Sequence, residues 1–445
     1  MNTPPKRPNI IFIVADDLGF ADLGCYGGRE ARFGPVSPVL DSLAAGGIKF
    51  TQGYSNSPVC SPTRFALMTA RYQYRLRGAA EEPINSKSRG SSTLGLPPEH
   101  PTLPSLLRAS GYRTALVGKW HLGYPPHFSP LRSGYEEFFG PMSGGVDYFT
   151  HCDSRGNHDL FLGEVENRTE GYLTDLISDR SVDFIDRMAP GARDGRPFFL
   201  SMHYTAPHWP WETRDDEALA QEVKDNLFHL HGGNIHSYQR MIHHMDEGIG
   251  RVRAELERHG IADNTLLVFT SDNGGERFSD NWPLVGGKMD LTEGGIRVPW
   301  IAHWPAGIAP GGTSSQHCMT MDWSATMLAL AQVAADPTFP LDGVSLLPVL
   351  RDASAVFDRP LYWRMNHRGQ RALRLEDWKY LTVDGIEYLF NIPADERERA
   401  NLAKRHPERL HALRAQWEQW NASMPPIPED ATVSLGYGVQ DMPQR

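Results

Sequence analysis

The chain has 445 residues, with 44 lysines and arginines against 54 aspartates and glutamates, so its formal net charge is −10. With 40 % hydrophobic and 22 % charged residues and a mean hydropathy of −0.44, it reads as a globular protein with a sizeable core, not a disordered or collagenous chain. The acidic balance argues against nucleic acid as a partner, and the length suits two or three domains or one large α/β domain with a small companion.

Taken in chain order, the N-terminal Met-Asn-Thr-Pro-Pro-Lys-Arg-Pro is basic but holds no apolar stretch. No signal peptide is expected there, and cytoplasmic residence follows, with the periplasm or secretion as the alternative if a leader was removed. The run Asn9–Ala15 has the length and β-branched content of a buried strand. Nowhere does an apolar run reach the ~18 residues of a membrane span, so no membrane partner is expected. Two adjacent carboxylates, Asp16 and Asp17, end that first strand and repel each other unless a cation sits beside them. Further on, Cys60-Ser61-Pro62-Thr63-Arg64 opens a helix, with Pro62 suited to its first turn and Cys60 near the positive end of the helix dipole. Arg64, four residues on, lies on the same helical face. A lone cysteine is ordinarily a small buried hydrophobe, and Cys25, Cys152 and Cys318 look incidental. Four scattered cysteines make no disulfide framework.

The polar stretch over 77–100 reads as a long loop of the kind that is functional or mobile. A second buried run, Arg113–Gly118, delivers Lys119-Trp120-His121-Leu122-Gly123. In extended chain Lys119 and His121 would project to one side as an anion-handling pair. Apolar positions from Leu173 to Met188 mark a helix, and the run over 197–204 is a third strand, followed by Pro207-His208-Trp209. Trp209, Trp211 and the 146–151 segment suit either a leaving-group pocket or ordinary aromatic packing. His229, His231, His236, His243 and His244 match no metal-binding face and read as a solvated helix-and-loop region. Ile242, Met245, Ile249, Val252 and Leu256 then mark a helix that ends at His259-Gly260.

The run Thr265–Ser271 ends in Asp272-Asn273, a second strand end bearing hard oxygen ligands. With Asp16 and Asp17 it makes a divalent-cation site. Ca²⁺ suits it better than Mg²⁺, because Ca²⁺ takes more oxygens, amide carbonyls included, in looser geometry. Gly286-Gly287-Lys288 adds a cation on a glycine-rich loop, and a further strand follows over 299–304. Strands alternating with helices predict a mainly parallel sheet covered on both faces, with its site at the carboxyl ends. Past residue 355 the pattern changes. Runs over 361–365, Arg371–Leu375, Trp378–Val383 and 387–391 read as an antiparallel meander with a turn at Asp384-Gly385, then a helix over 407–420 and an extended tail. Two units are expected, a catalytic α/β domain over 1–355 and a C-terminal subdomain over 356–445.

These separated motifs resemble one family. Cys60-Ser61-Pro62-Thr63-Arg64 is similar to the formylglycine signature of type I sulfatases, and Lys119-Trp120-His121-Leu122-Gly123 to that family's second signature. Asp16-Asp17, Pro207-His208, Asp272-Asn273 and Lys288 follow in the family's order, and the segments 387–391 and 398–403 resemble its C-terminal subdomain, so the resemblance spans essentially the whole chain. One departure is Ala70, where relatives often carry glycine. The resemblance implies an alkaline phosphatase-like fold: a large mixed, mainly parallel sheet sandwiched by helices, with a small C-terminal antiparallel sheet and one helix. It implies a sulfuric ester hydrolase of the arylsulfatase type, matured by a formylglycine-generating enzyme that oxidises Cys60.

By the same resemblance, Asp16, Asp17, Asp272, Asn273 and the modified Cys60 hold Ca²⁺ or Mg²⁺. Arg64 stabilises the hydrated aldehyde, and His121 holds it and takes a proton. Lys119, His208 and Lys288 hold the sulfate and serve the leaving oxygen. Such a site is cationic inside an acidic protein, which suits a small anionic ester. The substrate is a small-molecule or saccharide sulfate ester: an aryl sulfate is the first reading, and a sulfated sugar of the N-acetylhexosamine type the second. Charge alone would also admit a phosphate or phosphonate monoester. A metal-binding protein that keeps Cys60 unmodified is disfavoured, because each proposed catalytic position holds a competent residue. Nothing in the sequence specifies an oligomeric state.

Overall fold

The computed structural model of the chain describes residues 7–28, 34–223, 227 and 232–434. Lys6, His229, His231 and the end of the expected tail over 435–445 lie outside the described residues. In chain order the strands are β1 (Asn9–Ala15), β2 (Ile48–Phe50), β3 (Gly53–Tyr54), β4 (Arg113–Gly118), β5 (Glu137–Gly140), β6 (Phe161–Leu162), β7 (Val165–Glu166) and β8 (Phe198–His203). They continue with β9 (Thr265–Ser271), β10 (Trp300–His303), β11 (Gly312–Ser314), β12 (Cys318–Met319), β13 (Leu361–Arg364), β14 (Arg371–Leu375), β15 (Trp378–Val383) and β16 (Ile386–Asn391). The principal helices are α1 (Pro38–Ala45), α2 (Cys60–Thr69), α3 (Leu173–Arg193), α4 (Ile235–Arg258), α5 (Thr320–Leu330) and α6 (Pro407–Ala422).

Among the described residues one ten-stranded sheet runs in the order β11-β2-β10-β9-β1-β8-β4-β5-β6-β7. Its centre, from β9 to β5, is parallel, while β10, β6 and β7 run antiparallel to their neighbours. The expected mainly parallel sheet is thus a mixed one with a parallel middle, as the family resemblance implied. Central strands buried on both faces carry apolar side chains at every position, and every residue of β1 is buried. Ile11 and Ile13 join a core with Phe184, Ile242, Met245 and Ile249 on one side, and Ile10 and Phe12 join Phe65, Leu107 and Trp300 on the other. Each such fully buried side chain contributes roughly 1.5–3 kcal/mol.

Helix α4 follows its apolar spacing. The Asn234 side chain caps it by accepting from the N–H groups of His236 and Ser237, and it stops at His259, with Gly260 at φ +65° beyond. His244 departs from the expected solvated region: it is buried against the ring of Tyr172, and burial pushes its imidazole down to about 4. The short edge strands and α1 carry too few residues for a periodic signal, which is why the sequence pattern missed them. No described helix is long and apolar enough to cross a membrane.

The antiparallel sheet β13-β14-β15-β16 stands at the C-terminal end, with α6 laid on one face through Leu410, Leu413 and Trp417. Its other face, through Trp363, Ala372, Leu381 and Phe390, shares a core with Val59, Cys60, Met289 and Leu291. A buried charge cluster adds to that junction: Lys379 Nζ lies 2.9 Å from Glu293 and 2.8 Å from Glu398. The small sheet therefore packs directly behind the segment that carries Cys60.

Candidate active site

Parallel pairing sets Ala15 of β1 opposite Ser271 of β9, so the residues that follow, Asp16 and Asp272, stand side by side where both strands end. All four acidic and amide residues there, Asp16, Asp17, Asp272 and Asn273, are buried. Ligand atoms of Asp16, Asp272 and Cys60 lie within 4.8 Å of one another, as do those of Asp16, Asp17 and His208. Asn273 Nδ2 donates to Asp17 Oδ1 at 2.7 Å, leaving Asn273 Oδ1 and Asp16 Oδ1 buried without a hydrogen-bond partner. Unpartnered buried groups of this kind cost about 1–3 kcal/mol each. Burial, and after it the charge of Asp272, pushes the Asp16 carboxyl well above the usual carboxylate range. Three aspartates and an amide oxygen gathered in this way fit a divalent cation: it would give the orphaned oxygens a partner and let the carboxylates ionise together.

Cys60 opens α2 as expected, with its side chain buried. Burial pushes its thiol up to about 11, so without a cation beside it the unmodified cysteine is neutral at neutral pH and a poor nucleophile. Three cations surround it, Arg64 and Lys119 buried and Lys288 partly buried. Arg64 holds Asp272 Oδ2 through Nη2 at 2.8 Å and Nε at 3.0 Å, and Lys119 Nζ lies 2.5 Å from Asp16 Oδ2. Lys288 Nζ lies 2.7 Å from Asp17 Oδ2. Burial alone would raise Asp17, but Lys288, His208 and Lys119 outweigh it and hold that carboxyl at about 2.

The pair Lys119 and His121 does arrive at the site, by a different route from the expected extended chain. β4 ends at Gly118, and His121 takes a left-handed backbone with φ +61°. That turn brings its imidazole against Gly144, where a Cβ would sit 2.3 Å from the ring. His121 Nε2 donates to the carbonyl of Ile84 at 2.6 Å, which leaves Nδ1 as a buried lone pair with no partner. Burial, reinforced by Lys119, keeps the ring well below its usual pKa. Ile84 belongs to the expected 77–100 loop, which contains short 3₁₀ turns over Arg77–Ala80 and Ser86–Ser88.

His208 is fixed from the other side. Its Nδ1 donates to Trp209 O at 2.7 Å, Tyr148 Oη donates to its carbonyl at 2.9 Å, and Nε2 lies 3.5 Å from Asp17. Burial and then Lys288 push this imidazole well below its usual pKa. Trp211, Val146 and Tyr148 are core residues, so the packing reading holds for them, whereas Trp209 stays half-buried beside His208 with ring centroids 4.3 Å apart. Every predicted site residue therefore converges on one place.

One participant went unread. His203, the last residue of β8, places Nδ1 3.2 Å from Arg64 Nη1 and 3.3 Å from the carbonyl of Lys119. Its signal was its place at the carboxyl end of a buried strand, which the rule for such sheets marks for attention.

A family model described as Sulfatase matches residues 8–333. The chain belongs to the sulfatase family. It is 30 % identical to Arylsulfatase J of Mus musculus over 95 % of this chain and 77 % of that protein. It is 32 % identical to N-acetylgalactosamine-6-sulfatase of Homo sapiens over 81 % of this chain and 68 % of that one. Among solved structures, Ps i-CgsB in complex with k-i-k-neocarrahexaose superposes with a TM-score of 0.83 and 31 % identity, over 94 % of each chain. The protein is accordingly an enzyme, a sulfatase that hydrolyses sulfate esters, and its family generally uses a metal ion and formylglycine.

Proposed function

We propose that the protein cleaves an aryl-type sulfate monoester at the Cys60 centre, with Cys60 oxidised to formylglycine by a formylglycine-generating enzyme. Ca²⁺ would be held by Asp16, Asp17, Asp272, Asn273 and the oxidised residue 60. The carrying observation is the Cys60 side chain lying within 4.8 Å of the oxygens of Asp16 and Asp272, ringed by Arg64, Lys119 and Lys288. When bound, the oxidised side chain supplies an oxygen nucleophile, and the metal supplies positive charge for it and for the sulfate oxygens.

The chain's own residues do the remainder. Arg64, held by Asp272 and His203, keeps a fixed positive charge beside residue 60. His121 presents an unpartnered Nδ1 lone pair that can accept a proton. Lys119 and Lys288 are the cations for an incoming sulfate, and preorganised charges of this kind are worth roughly 10²–10³ in rate each. His208 Nε2, beside Asp17 and Lys288, is placed to take a proton when an anion arrives and to pass it to the leaving oxygen. The division into a catalytic unit over 1–355 and a C-terminal unit over 356–445 belongs to the same proposal, supported by the change from mixed α/β to an antiparallel meander.

Hydrolysis of a chromogenic aryl sulfate by protein co-produced with a formylglycine-generating enzyme tests the proposal, with the mass of the Cys60 peptide recorded in parallel. Activity is expected with an aldehyde at position 60 and lost in Cys60→Ala and Asp272→Ala; activity surviving both overturns it. A sulfated saccharide is the second reading, supported by the 31 % identity to a structure that holds neocarrahexaose and by the N-acetylgalactosamine-6-sulfatase relative. The ratio of kcat/KM on a sulfated N-acetylhexosamine to that on nitrophenyl sulfate separates the two.

A further inference from the structure

We infer that Gln370, in the turn between β13 and β14, is the positioning residue for Lys288, so that the C-terminal sheet completes the anion-binding part of the site. The inference rests on the reading of Lys288 as a sulfate contact.

Lys288 follows two glycines and precedes Met289, whose φ is +74°. A left-handed conformation at a non-glycine residue costs of order 1–2 kcal/mol and persists only where surrounding contacts impose it. Backbone bonds supply one side of that constraint. Lys288 N donates to Gly275 O at 3.1 Å, and Met289 N donates to Pro58 O at 2.9 Å, two residues before Cys60. Gln370 supplies the other side. Its carboxamide is buried, with Nε2 donating to Met289 O at 2.8 Å and Oε1 accepting from Leu291 N at 2.8 Å. One side chain thus holds a carbonyl and an N–H on either side of Asp290, as a neighbouring strand would.

The turn that carries Gln370 is itself anchored to the large sheet's side of the molecule. The Gln370 carbonyl accepts from Met365 N at 2.8 Å, and the N–H groups of Asn366 and His367 in the same turn donate to Glu82 at 2.7 and 2.9 Å. Glu82 lies two residues before Ile84, whose carbonyl holds His121. The turn over 365–370 therefore reaches Lys288 through one residue and the support of His121 through another. A glutamine that only satisfied buried polar groups would be coupled to stability alone; this one is coupled to where Lys288 stands.

A double-mutant cycle tests the inference on the formylglycine-bearing enzyme, comparing wild type, Gln370→Leu, Lys288→Ala and the double variant by kcat/KM on an aryl sulfate and by melting temperature. Gln370→Leu is expected to lose roughly 10- to 100-fold in kcat/KM, the scale of a small misplacement of a catalytic group. In the Lys288→Ala background the same substitution should cost less than about twofold, the limit of additivity. Gln370→Glu keeps the acceptor for Leu291 and removes the donor to Met289, so if Gln370→Leu fails to fold the cycle is run with Glu. An equal loss in both backgrounds, or no loss above about twofold in wild type, overturns the positioning role while leaving Lys288 in place. No effect of Lys288→Ala alone overturns the reading of Lys288, and the inference with it.

Discussion

At the scale of single residues, the surroundings of Cys60 suit the proposed oxidised side chain better than a thiol. Burial holds the thiol protonated, while the surrounding donors are carboxylates and an amide oxygen, which prefer a hard cation. The proposed oxidation would replace sulfur by oxygen, which such a cation accepts. Asp272 has a second duty here, because it is the charged partner of the buried Arg64. Asp272→Ala would leave that guanidinium uncompensated, and a loss of about 3–5 kcal/mol is expected in denaturant unfolding. Cys60→Ala removes activity without removing a charge and should unfold within about 1–2 kcal/mol of wild type. Equal stability of the two variants would mean that the Arg64–Asp272 pair is not structurally coupled.

At the scale of elements, the loop after β8 that carries His208 is pinned to the 146–150 segment by a pair of buried carboxyls. Glu212 Oε2 accepts from Tyr148 N at 3.1 Å, and its carboxyl lies close enough to Asp147 to feel that charge. Burial, followed by the charges of Asp147 and Asp216, raises Glu212 to about 9. The folded state therefore keeps a proton that the unfolded chain releases near its ordinary glutamate value. Stability from this group is complete below that value and is lost as pH rises towards 9, at up to about 1.4 kcal/mol per pH unit. Glu212→Gln carries the hydrogen-bonding amide at every pH. The melting temperature of wild type relative to the variant should fall steadily from mildly acidic to alkaline pH; a constant difference would show that Glu212 is ionised in the fold.

At the scale of the whole molecule, two sheets share one interior and the site lies against their junction. Lys379 of β15, between Glu293 and Glu398, together with Arg297 on Glu293, supplies the positive charge that makes two buried glutamates tolerable. Lys379→Met would leave the buried Glu398 without its cation, while Glu293 keeps Arg297 at 2.6 Å, and the expected loss is about 3–5 kcal/mol in denaturant midpoint measurements. The proposed divalent cation would play the same role at the other end of the interior, beside Asp16, Asp17 and Asp272. Chelation should lower the melting temperature, and Ca²⁺ should restore it more than Mg²⁺, by about 3 kcal/mol of stability at a hundredfold excess over Kd. A melting temperature indifferent to chelator and metal would exclude the three aspartates as a cation site.

How much of this was legible in the chain divides along a physical line. β1, β4 and β9 were read from the sequence to the residue, as were the carboxylates, cations and cysteine at their ends, because strands buried on both faces are continuous apolar runs and the site begins where those runs stop. The meander after residue 355 and the helix after Pro407 were equally plain, since alternation and helical spacing are local signals. By itself, then, the sequence determined which side chains gather and what chemistry they suit. Only the tertiary structure decided how they are held: the left-handed turn at His121, the carbonyl of Ile84 beneath it, His203 beside Arg64, and Gln370 behind Lys288. These contacts join residues far apart in the chain through single hydrogen bonds, which leave no periodicity in the sequence and exist only once the two sheets have packed together.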